Sequence, residues 1–297
     1  MAKEAGPPPR GGLVVVDKPA GMTSHDVVAR IRRLAGTKRV GHAGTLDPMA
    51  TGVLVIGVGR ATRLLGHLSL HDKDYLATAR LGQVTDTDDA EGQVVATRPT
   101  SGITTDDITA AARDFVGDIE QRPPGVSAIK VEGKRAYARV RAGEDVVLPT
   151  RRVHVARLEI HGIRPNGGVT DVDFEVRCSS GTYVRAIARD LGARLGVGGH
   201  LTALRRTRVG GFDLLGARTL ASLEQEFTVI SLDDAAAAAF TRRDLDAAAA
   251  TTLAHGGRLP SSGVDGAPVA AFGPDGTFIA LLEDRGEIAY PVAVFVG

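Results

Sequence analysis

Several residue types are scarce in this 297-residue sequence, which has one cysteine, no tryptophan and only twelve tyrosine and phenylalanine residues. Because Cys178 is the only cysteine, the chain can form neither an internal disulfide nor a zinc site with several cysteine ligands. The segment Met1 to Arg10 lacks the apolar core of a signal peptide, and no later stretch reaches the roughly 18 consecutive apolar residues that a membrane helix needs. The sequence therefore predicts a cytoplasmic protein with no membrane segment.

The charges almost balance in total but are unevenly distributed. Up to Arg218 the sequence has 32 Lys plus Arg against 24 Asp plus Glu, a net charge of +8, whereas Thr219 to Gly297 has 4 against 11, a net charge of −7. A basic body is typical of proteins that bind a polyanion, because Lys and Arg contacts to phosphate supply much of the affinity for nucleic acid. Thirty of the 36 basic residues are Arg, which is also typical of GC-rich genomes, so the Arg bias alone decides nothing.

Apolar periodicity predicts alternating strands and helices in the first half of the chain. Ser24 is a predicted helix N-cap, because apolar residues recur with helical spacing after it until Gly36. The predicted elements are a strand at Leu13–Asp17, this helix, a strand at Val53–Val58, a helix to Ser69, a strand at Lys73–Leu81 and a helix from Thr104 or Thr105 through Phe115.

The second half of the chain predicts a half-buried strand at Val172–Cys178, followed by a helix at Thr182–Leu195. After about residue 220, the Ala-rich stretch Asp233–Ala254 predicts helix, and short strands are expected around Val269, Phe278 and Val292. No fixed-period repeat indicates a solenoid. We therefore expect a small, separate C-terminal module.

The most unusual local segment runs from Gly41 to Gly52 and places the carboxylate of Asp47 directly before Pro48. The proline biases Asp47 toward an extended backbone, and the glycines permit sharp turns and close approach of a ligand to the main chain. A solvated turn would explain these residues equally well. A phosphate-binding loop is disfavoured, because the Gly-Lys-Ser/Thr ending of that motif is absent.

Five segments together resemble motifs of the TruB family of tRNA pseudouridine synthases, in the order in which the family has them. They are Asp17-Lys18-Pro19 with Gly21; Gly41 to Gly52; Lys73 with Tyr75; Pro123-Pro124 with Ser127-Ala128 and Lys130; and Gly181-Thr182-Tyr183-Val184-Arg185. The resemblance covers roughly residues 13 to 218. It implies an enzyme that isomerises uridine to pseudouridine and needs neither a cofactor nor a metal.

The resemblance implies catalytic roles for Asp47, Tyr75 and Arg185. Asp47 is the expected catalytic carboxylate, which either adds covalently to the substrate or takes a proton from the sugar. Arg185 is expected to pair with Asp47 and keep it ionised, because an adjacent cation favours the charged form. The ring of Tyr75 is expected to stack on the displaced base. Without the resemblance, a surface position for Arg185 and a packing role for Tyr75 remain open.

Four further residues match substrate-binding positions of the family. Tyr183 and Leu204 are expected to line the uracil pocket, His42 to contact the RNA around the flipped nucleotide, and Lys18 to support the active-site loop. Taken alone, His42 fits a hydrogen-bonded structural histidine and Lys18 an ordinary turn residue.

The implied substrate is the T arm of tRNA, with uridine 55 of the T loop as the target. A stacked base must be extruded before its glycosidic bond is accessible. Two basic segments, Val27–Leu46 and Lys130–Arg152, are suited to hold the RNA backbone, although a solvated basic face is the alternative. The second belongs to an expected insertion at about residues 120–150 that grips the T arm through RNA shape. We expect a monomer.

The resemblance also implies the fold: an α+β protein with a mixed, mostly antiparallel extended sheet and flanking helices, followed by a small PUA-like β-rich domain. The expected domains are a catalytic domain at residues 1–226 and a C-terminal module at 227–297. That module either contacts RNA or stabilises the fold. A noncatalytic tRNA-binding or RNA-folding protein is the main alternative function, and it would not need Asp47. A phosphotransferase is disfavoured, because its phosphate and metal ligands are not found.

Overall fold

The computed structural model describes residues 11–125, 130–131, 134–135, 149–264 and 266–296. The predicted insertion at about 120–150 lies largely outside these residues. The described chain forms two compact units. Unit 1 draws on Met1–Asp47, Gly52–Leu70 and Val209–Gly297, and unit 2 on Pro48–Thr51 and His71–Arg208.

The strands in chain order are β1 (Gly11–Lys18), β2 (Val40–Ala43), β3 (Thr51–Gly59), β4 (Lys73–Leu81), β5 (Gln83–Thr85), β6 (Val94–Thr97), β7 (Gly117–Gln121), β8 (Lys130–Val131), β9 (Lys134–Arg135), β10 (Arg151–Asn166), β11 (Val169–Cys178), β12 (Gly199–Val209), β13 (Phe212–Asp213), β14 (Thr241–Asp244), β15 (Leu259–Pro260), β16 (Val269–Phe272), β17 (Phe278–Arg285) and β18 (Ile288–Val294). The helices are α1 (Ser24–Leu34), α2 (Leu65–Leu68), α3 (Thr105–Arg113), α4 (Val184–Arg194), α5 (Leu220–Gln225), α6 (Leu232–Ala239) and α7 (Ala247–Ala254).

The predicted α+β class with a large, mostly antiparallel sheet is confirmed. Within unit 2 the strand order is β12-β4-β11-β10-β7, and within unit 1 β3 pairs antiparallel with both β1 and β2. The predicted strand at Lys73–Leu81 matches β4 from end to end.

The core of unit 1 is built on the apolar runs of β1 and β3, which are buried along nearly their whole length. The strands β14 to β18 form a separate five-stranded sheet. Its residues Phe272 and Phe278 nevertheless pack in the same hydrophobic cluster as Leu13 and Val53. The C-terminal strands and the N-terminal strands of unit 1 therefore share one core, and the predicted boundary near residue 226 stays a prediction.

The core of unit 2 lies between its sheet and two helices. Alternate residues of β4 and β11 are buried, and Leu81 and Val172 pack against Ile108 of α3 and Leu191 of α4. This burial explains the alternation seen in the sequence, because one sheet face meets helices while the other carries polar side chains. The same face therefore positions the first turn of α4.

Two sequence expectations are corrected by the structure. The continuous helix expected at Asp233–Ala254 is interrupted by β14, because this segment pairs in parallel with β16 and Phe240 enters the core. Alanine has a high helix propensity, but tertiary pairing overrides it here. The N-cap of α1 is Thr23 and not Ser24, since Thr23 accepts from the backbone of Asp26 and Asp26 binds back to Thr23.

None of the described helices has both the length and the apolarity to span a membrane.

Candidate active site

Asp47 lies on the loop between β2 and β3 and is half-buried. Two glycines with left-handed backbones bracket Asp47: Gly44, at φ 85°, begins the loop, and Gly52, the second residue of β3, has a φ of 98°. Residues with a Cβ atom rarely adopt these angles, so glycine is required at both positions. The adjacent Leu46 is 3% exposed and Ala50 is fully buried. The loop thus presents a carboxylate while anchoring the residues beside it.

Ser24 holds this loop in place, a role that the sequence analysis missed. Its buried hydroxyl accepts from the backbone N–H of Leu46 at 2.9 Å and donates to the Leu46 carbonyl at 3.1 Å. Both backbone groups next to Asp47 are therefore satisfied by one side chain from the start of α1. Ser24 resembles a helix N-cap in the sequence, and no local pattern distinguishes the two roles.

Lys18 and His42 also lie in unit 1. Lys18 is fully buried at the end of β1, opposite Gly52 in the β1–β3 register. Its ammonium donates to the carbonyls of Pro19 at 3.0 Å and Met22 at 2.6 Å, which stabilises the turn after β1. His42 lies on β2 and contacts the ring of His25 edge-on, with centroids 5.7 Å apart.

Tyr75 lies on β4 in unit 2, opposite Val176 of β11, and is 7% exposed. The neighbouring Asp74 accepts two hydrogen bonds from Arg177, at 2.9 and 3.0 Å, and two from Arg208, at 2.8 and 3.0 Å. Burial alone would raise the pKa of Asp74, but the hydrogen bonds and charges of Arg208 and Arg177 outweigh it and lower the pKa to about 2. The residue before Tyr75 therefore belongs to an ion-pair cluster that links β4, β11 and β12.

Lys73, two residues before Tyr75, is buried and donates to the carbonyl of His71 at 2.6 Å. Burial, together with the charge of Arg206, lowers the pKa of Lys73 to about 8. Its cross-strand neighbour is Cys178, whose pKa is raised to about 11 by burial. The cysteine is thus a neutral packing residue rather than a nucleophile.

Arg185 projects from the first turn of α4 and is 5% exposed. Its Nη1 donates to the carbonyl of Thr87 at 3.0 Å and to Oδ2 of Asp89 at 3.1 Å. The side chains of Arg185 and Asp89 are 6% and 4% exposed, so this ion pair is buried. Asp89 was not identified from the sequence, where it is one acid in the run Asp86-Thr87-Asp88-Asp89.

Tyr183 is the N-cap residue of α4 and is held by Gln121, which is 1% exposed. The backbone N–H of Tyr183 donates to Oε1 of Gln121 at 2.7 Å, and Nε2 of Gln121 donates to the Tyr183 carbonyl at 3.0 Å. The guanidinium of Arg151 lies 5.2 Å from the centre of the Tyr183 ring. Gln121 therefore fixes the backbone while Arg151 covers the ring.

Leu204 lies on β12, is 8% exposed and lines a cavity of about 640 Å³. The lining also includes Met49, two residues after Asp47, together with Leu76 and Thr78 of β4. Its apolar residues suit contact with a flat, weakly polar group such as a base.

The structure divides the predicted site residues between the two units. Unit 1 contains Lys18, His42 and Asp47, and unit 2 contains Tyr75, Tyr183, Arg185 and Leu204. Within unit 1, the β1–β3 register brings Lys18 opposite the end of the Asp47 loop. Within unit 2, Tyr183 and Arg185 share the start of α4.

A group of three described residues, Glu159, His161 and Glu175, has donor spacing that could hold a metal ion. Both carboxylates already interact with Arg157, through a close ion pair to Glu175 and a 3.6 Å contact to Glu159. A cation would have to displace this guanidinium, so the group fits an ion-pair network better than a metal centre.

Three family models match successive parts of the chain. The TruB family pseudouridylate synthase N-terminal domain matches residues 32–184, the tRNA pseudouridylate synthase B C-terminal domain matches 185–247, and the tRNA pseudouridine synthase II C-terminal model matches 240–296. Proteins called tRNA pseudouridine synthase B are similar over nearly the full length. Those from Thermobifida fusca and Rhodococcus jostii are 59% and 58% identical, covering 96% and 95% of this chain and 99% and 93% of theirs.

Solved structures agree with these matches. A chain in the crystal structure of a Cbf5-Nop10-Gar1 complex is 26% identical, with a TM-score of 0.72, covering 96% of this chain and 85% of that chain. A chain from an H/ACA RNP bound to a substrate RNA containing 2′-deoxyuridine shares the fold at 24% identity and a TM-score of 0.70. The predicted family and enzyme class are confirmed, and this chain belongs to the TruB family of pseudouridylate synthases.

Proposed function

We propose that this chain converts uridine to pseudouridine in the T loop of tRNA, at position 55, with Asp47 as the catalytic carboxylate. The names of the relatives, at 54–59% identity, support tRNA as the substrate. The chain acts on the T arm as a cytoplasmic monomer and uses no metal or cofactor. The observation that carries the catalytic assignment is the loop of Asp47, whose backbone is fixed by Ser24 and by two left-handed glycines.

The reaction is an isomerisation, so every atom of the uridine is retained. The bond between N1 of uracil and C1′ of the ribose breaks, a bond between C5 and C1′ forms, C5 loses a proton and N1 gains one. Asp47 supports the cleavage either by adding to the substrate covalently or by removing a proton from the sugar. A lone ionised carboxylate on a rigid loop serves both routes, because both need a fixed, deprotonated oxygen.

The target base must leave its stack before the reaction, at a cost of a few kcal/mol. The ring of Tyr75 stacks on the released uracil, while Tyr183 and Leu204 bound the pocket that receives it. Arg185 favours the ionised form of Asp47 and orients it. His42 contacts the RNA where the base was removed, and Lys18 maintains the turn that supports the loop.

Exposed basic residues supply the contacts to the RNA backbone. On and after α1, the residues Arg30, Arg32, Arg33, Lys38 and Arg39 are all exposed. Arg30 pairs with Glu224 across a solvent-exposed contact, which a phosphate can replace at little cost. These contacts make binding depend on salt, since each neutralised phosphate releases counterions.

The decisive experiment compares the wild-type chain with Asp47→Asn on an unmodified tRNA transcript, without added metal. Asn keeps the size of the side chain but cannot act as nucleophile or base, so we expect pseudouridine formation to fall by at least about 10⁴-fold while tRNA affinity persists. Mapping the product on the transcript, and repeating the assay on tRNA with cytidine at position 55, tests the target.

Asp106→Asn is the matched control, because Asp106 is an exposed carboxylate in the first turn of α3. It should leave both activity and binding unchanged. Full activity of Asp47→Asn would contradict the catalytic assignment. Wild-type binding without conversion would instead favour a noncatalytic RNA-binding function.

A further inference from the structure

Two parallel ion pairs connect α4 to the loop between β5 and β6. Arg185 and Arg189 are four residues apart and therefore lie on the same face of the helix. The loop opposite them carries consecutive acids, Asp88 and Asp89. Nη1 of Arg189 donates to Oδ2 of Asp88 at 3.0 Å, just as Nη1 of Arg185 donates to Oδ2 of Asp89 at 3.1 Å.

The loop backbone is adapted to this double contact. Side chains of consecutive residues in extended chain point in opposite directions, so two adjacent acids do not normally reach one helix face. Asp88 has a φ of 60°, the only positive value among the described residues other than glycine. This conformation is disfavoured for a residue with a side chain and persists only where surrounding contacts hold it. Two contacts hold Asp88 here: its carboxylate binds Arg189, and its carbonyl accepts from the backbone N–H of Leu201 at 3.0 Å.

Arg189 joins three segments of unit 2. Besides Asp88, its guanidinium donates to Asp190 on its own helix at 2.8 Å and to the carbonyl of Arg122 at 2.8 Å. The side chains of Arg189 and Asp88 are only 24% and 14% exposed. Burial raises the pKa of Asp88, which the charges of Arg189 and Arg185 partly offset. Arg189 is thus a fixed, largely buried connector.

Asp89 transmits the loop position to Arg185. Its Oδ1 accepts from Oγ1 of Thr87 at 2.6 Å and from the backbone N–H of Glu91 at 3.0 Å. The hydroxyl of Thr85 donates to the Asp89 carbonyl at 2.8 Å. The carboxylate is therefore rigid within the loop, and its other oxygen binds Arg185. Any shift of the loop relative to α4 moves the partner of Arg185 by the same amount.

We propose that Asp88 and Arg189 are positioning residues, which fix the loop against α4 and thereby set the orientation of the Arg185 guanidinium. This inference rests on the proposed function, which gives Arg185 its place at the reacting carboxylate. In this proposal both residues act without touching the substrate. Their effect reaches the chemistry only through Asp89 and Arg185.

The test measures the steady-state kcat and KM of Arg189→Gln on the tRNA transcript, together with the thermal stability (Tm) of the variant. Gln carries no charge to pair with Asp88, so the loop should shift relative to α4. We expect kcat to fall about tenfold while KM stays within about twofold, because displacing catalytic groups slows the reaction without removing RNA contacts. Arg189→Lys keeps the charge but not the planar fork, and should lose an intermediate amount of kcat.

A double variant, Asp88→Asn with Arg189→Gln, separates positioning from stability. Removing both charges relieves the buried carboxylate that Arg189→Gln leaves unpaired, so the Tm should recover. Without the ion pair, kcat should remain low. Recovery of kcat together with Tm would overturn the inference, as would a kcat for Arg189→Gln within about twofold of wild type.

Two controls keep this result distinct from the proposed function. Arg194 lies on the same helix as Arg189 and forms an exposed ion pair with Asp114, the residue after α3. Arg194→Gln breaks this pair and should change neither kcat nor Tm appreciably. Arg185→Lys, measured in parallel, reports on the proposed function. If Arg185→Lys keeps full activity, the assignment of Arg185 fails and the inference fails with it. If Arg185→Lys loses activity and Arg189→Gln does not, only the inference fails.

Discussion

Asp47 in unit 1 and Arg185 in unit 2 are held by different kinds of interaction. Ser24 holds the Asp47 loop through uncharged contacts, namely its paired hydrogen bonds to Leu46, and Gly44 and Gly52 supply backbone at positive φ. Arg185 is fixed by charge, through a buried ion pair to Asp89 and a neighbouring pair one turn along the helix. A second set of ion pairs in unit 2 joins Asp74 of β4 to Arg177 and Arg208.

The difference predicts how Asp47 and Arg185 each respond to changes in the residues that hold them. Neutral hydrogen bonds depend on shape and are insensitive to pH and salt. Ion pairs depend on protonation, and the loss of one partner leaves an uncompensated charge. The Ser24 anchor in unit 1 should therefore depend on shape alone, whereas the ion pairs in unit 2 should depend on both charge and guanidinium geometry. Three substitutions test this contrast.

The largest expected effect in this series is that of Arg185→Lys. Lysine keeps the positive charge but cannot bind the Thr87 carbonyl and the Asp89 carboxylate in the same planar geometry. Because the charge remains, the fold should survive, while kcat falls by roughly 10²–10³-fold, as for other lost electrostatic contacts in active sites. Steady-state kinetics on the tRNA transcript measure this change of kcat.

Arg194→Lys is the matched control, since Arg194 lies on the same helix but is exposed. It should behave as wild type. A fully active Arg185→Lys would mean that charge alone is sufficient in unit 2, and that guanidinium geometry has no part in the reaction.

Ser24→Ala should have the next largest effect. It leaves the buried N–H and carbonyl of Leu46 without their partner, which should cost about 1–3 kcal/mol of stability. The loop beside Asp47 loosens, so kcat should fall by roughly tenfold with little change in tRNA affinity. Denaturant unfolding measures the loss of stability, and steady-state kinetics measure the fall of kcat. Ser101→Ala, at an exposed serine, is the control, and a Ser24→Ala variant with wild-type kinetics would contradict the anchoring role.

How much could be predicted from the sequence depends on whether the signal for each feature is local. The elements with clear periodicity were predicted correctly, and β4 matches from end to end, because burial on one face imposes the alternation directly. The glycines and proline around Asp47, together with the family resemblance, predict it as the catalytic carboxylate. These features are local in the sequence.

The missed residues act over long sequence distances. Asp89 and Arg185 are 96 residues apart and Ser24 and Leu46 are 22 apart, so neither partner has a local signal. The side chains of Thr23 and Ser24 both suit a helix N-cap, and only the fold shows that Thr23 takes this role while Ser24 binds Leu46. The sequence also does not predict the strand β14, because its pairing with β16 outweighs the helix propensity of the surrounding alanines.

The smallest expected effect is that of Asp74→Asn, and it depends on pH. The pKa of Asp74 is about 2 in the folded protein, below the ordinary value of about 3.9. A carboxyl with a depressed pKa contributes stability above its unfolded value and loses that contribution as the pH falls through its folded value. At pH 7, Asp74→Asn should cost about 1–2 kcal/mol, because Arg177 and Arg208 lose a charged acceptor. This deficit should shrink between about pH 4 and pH 2.

The same titration on Ser24→Ala makes the comparison between the two units direct. No ionisable group takes part in the contact of Ser24 with Leu46, so its stability deficit should stay constant from pH 7 down to the acid limit of folding. Urea unfolding at intervals across this range measures both deficits. A deficit for Asp74→Asn that does not change with pH would show that the aspartate acts through packing, and the contrast between a neutral and an ionic anchor would then not hold for the strands that Asp74 joins.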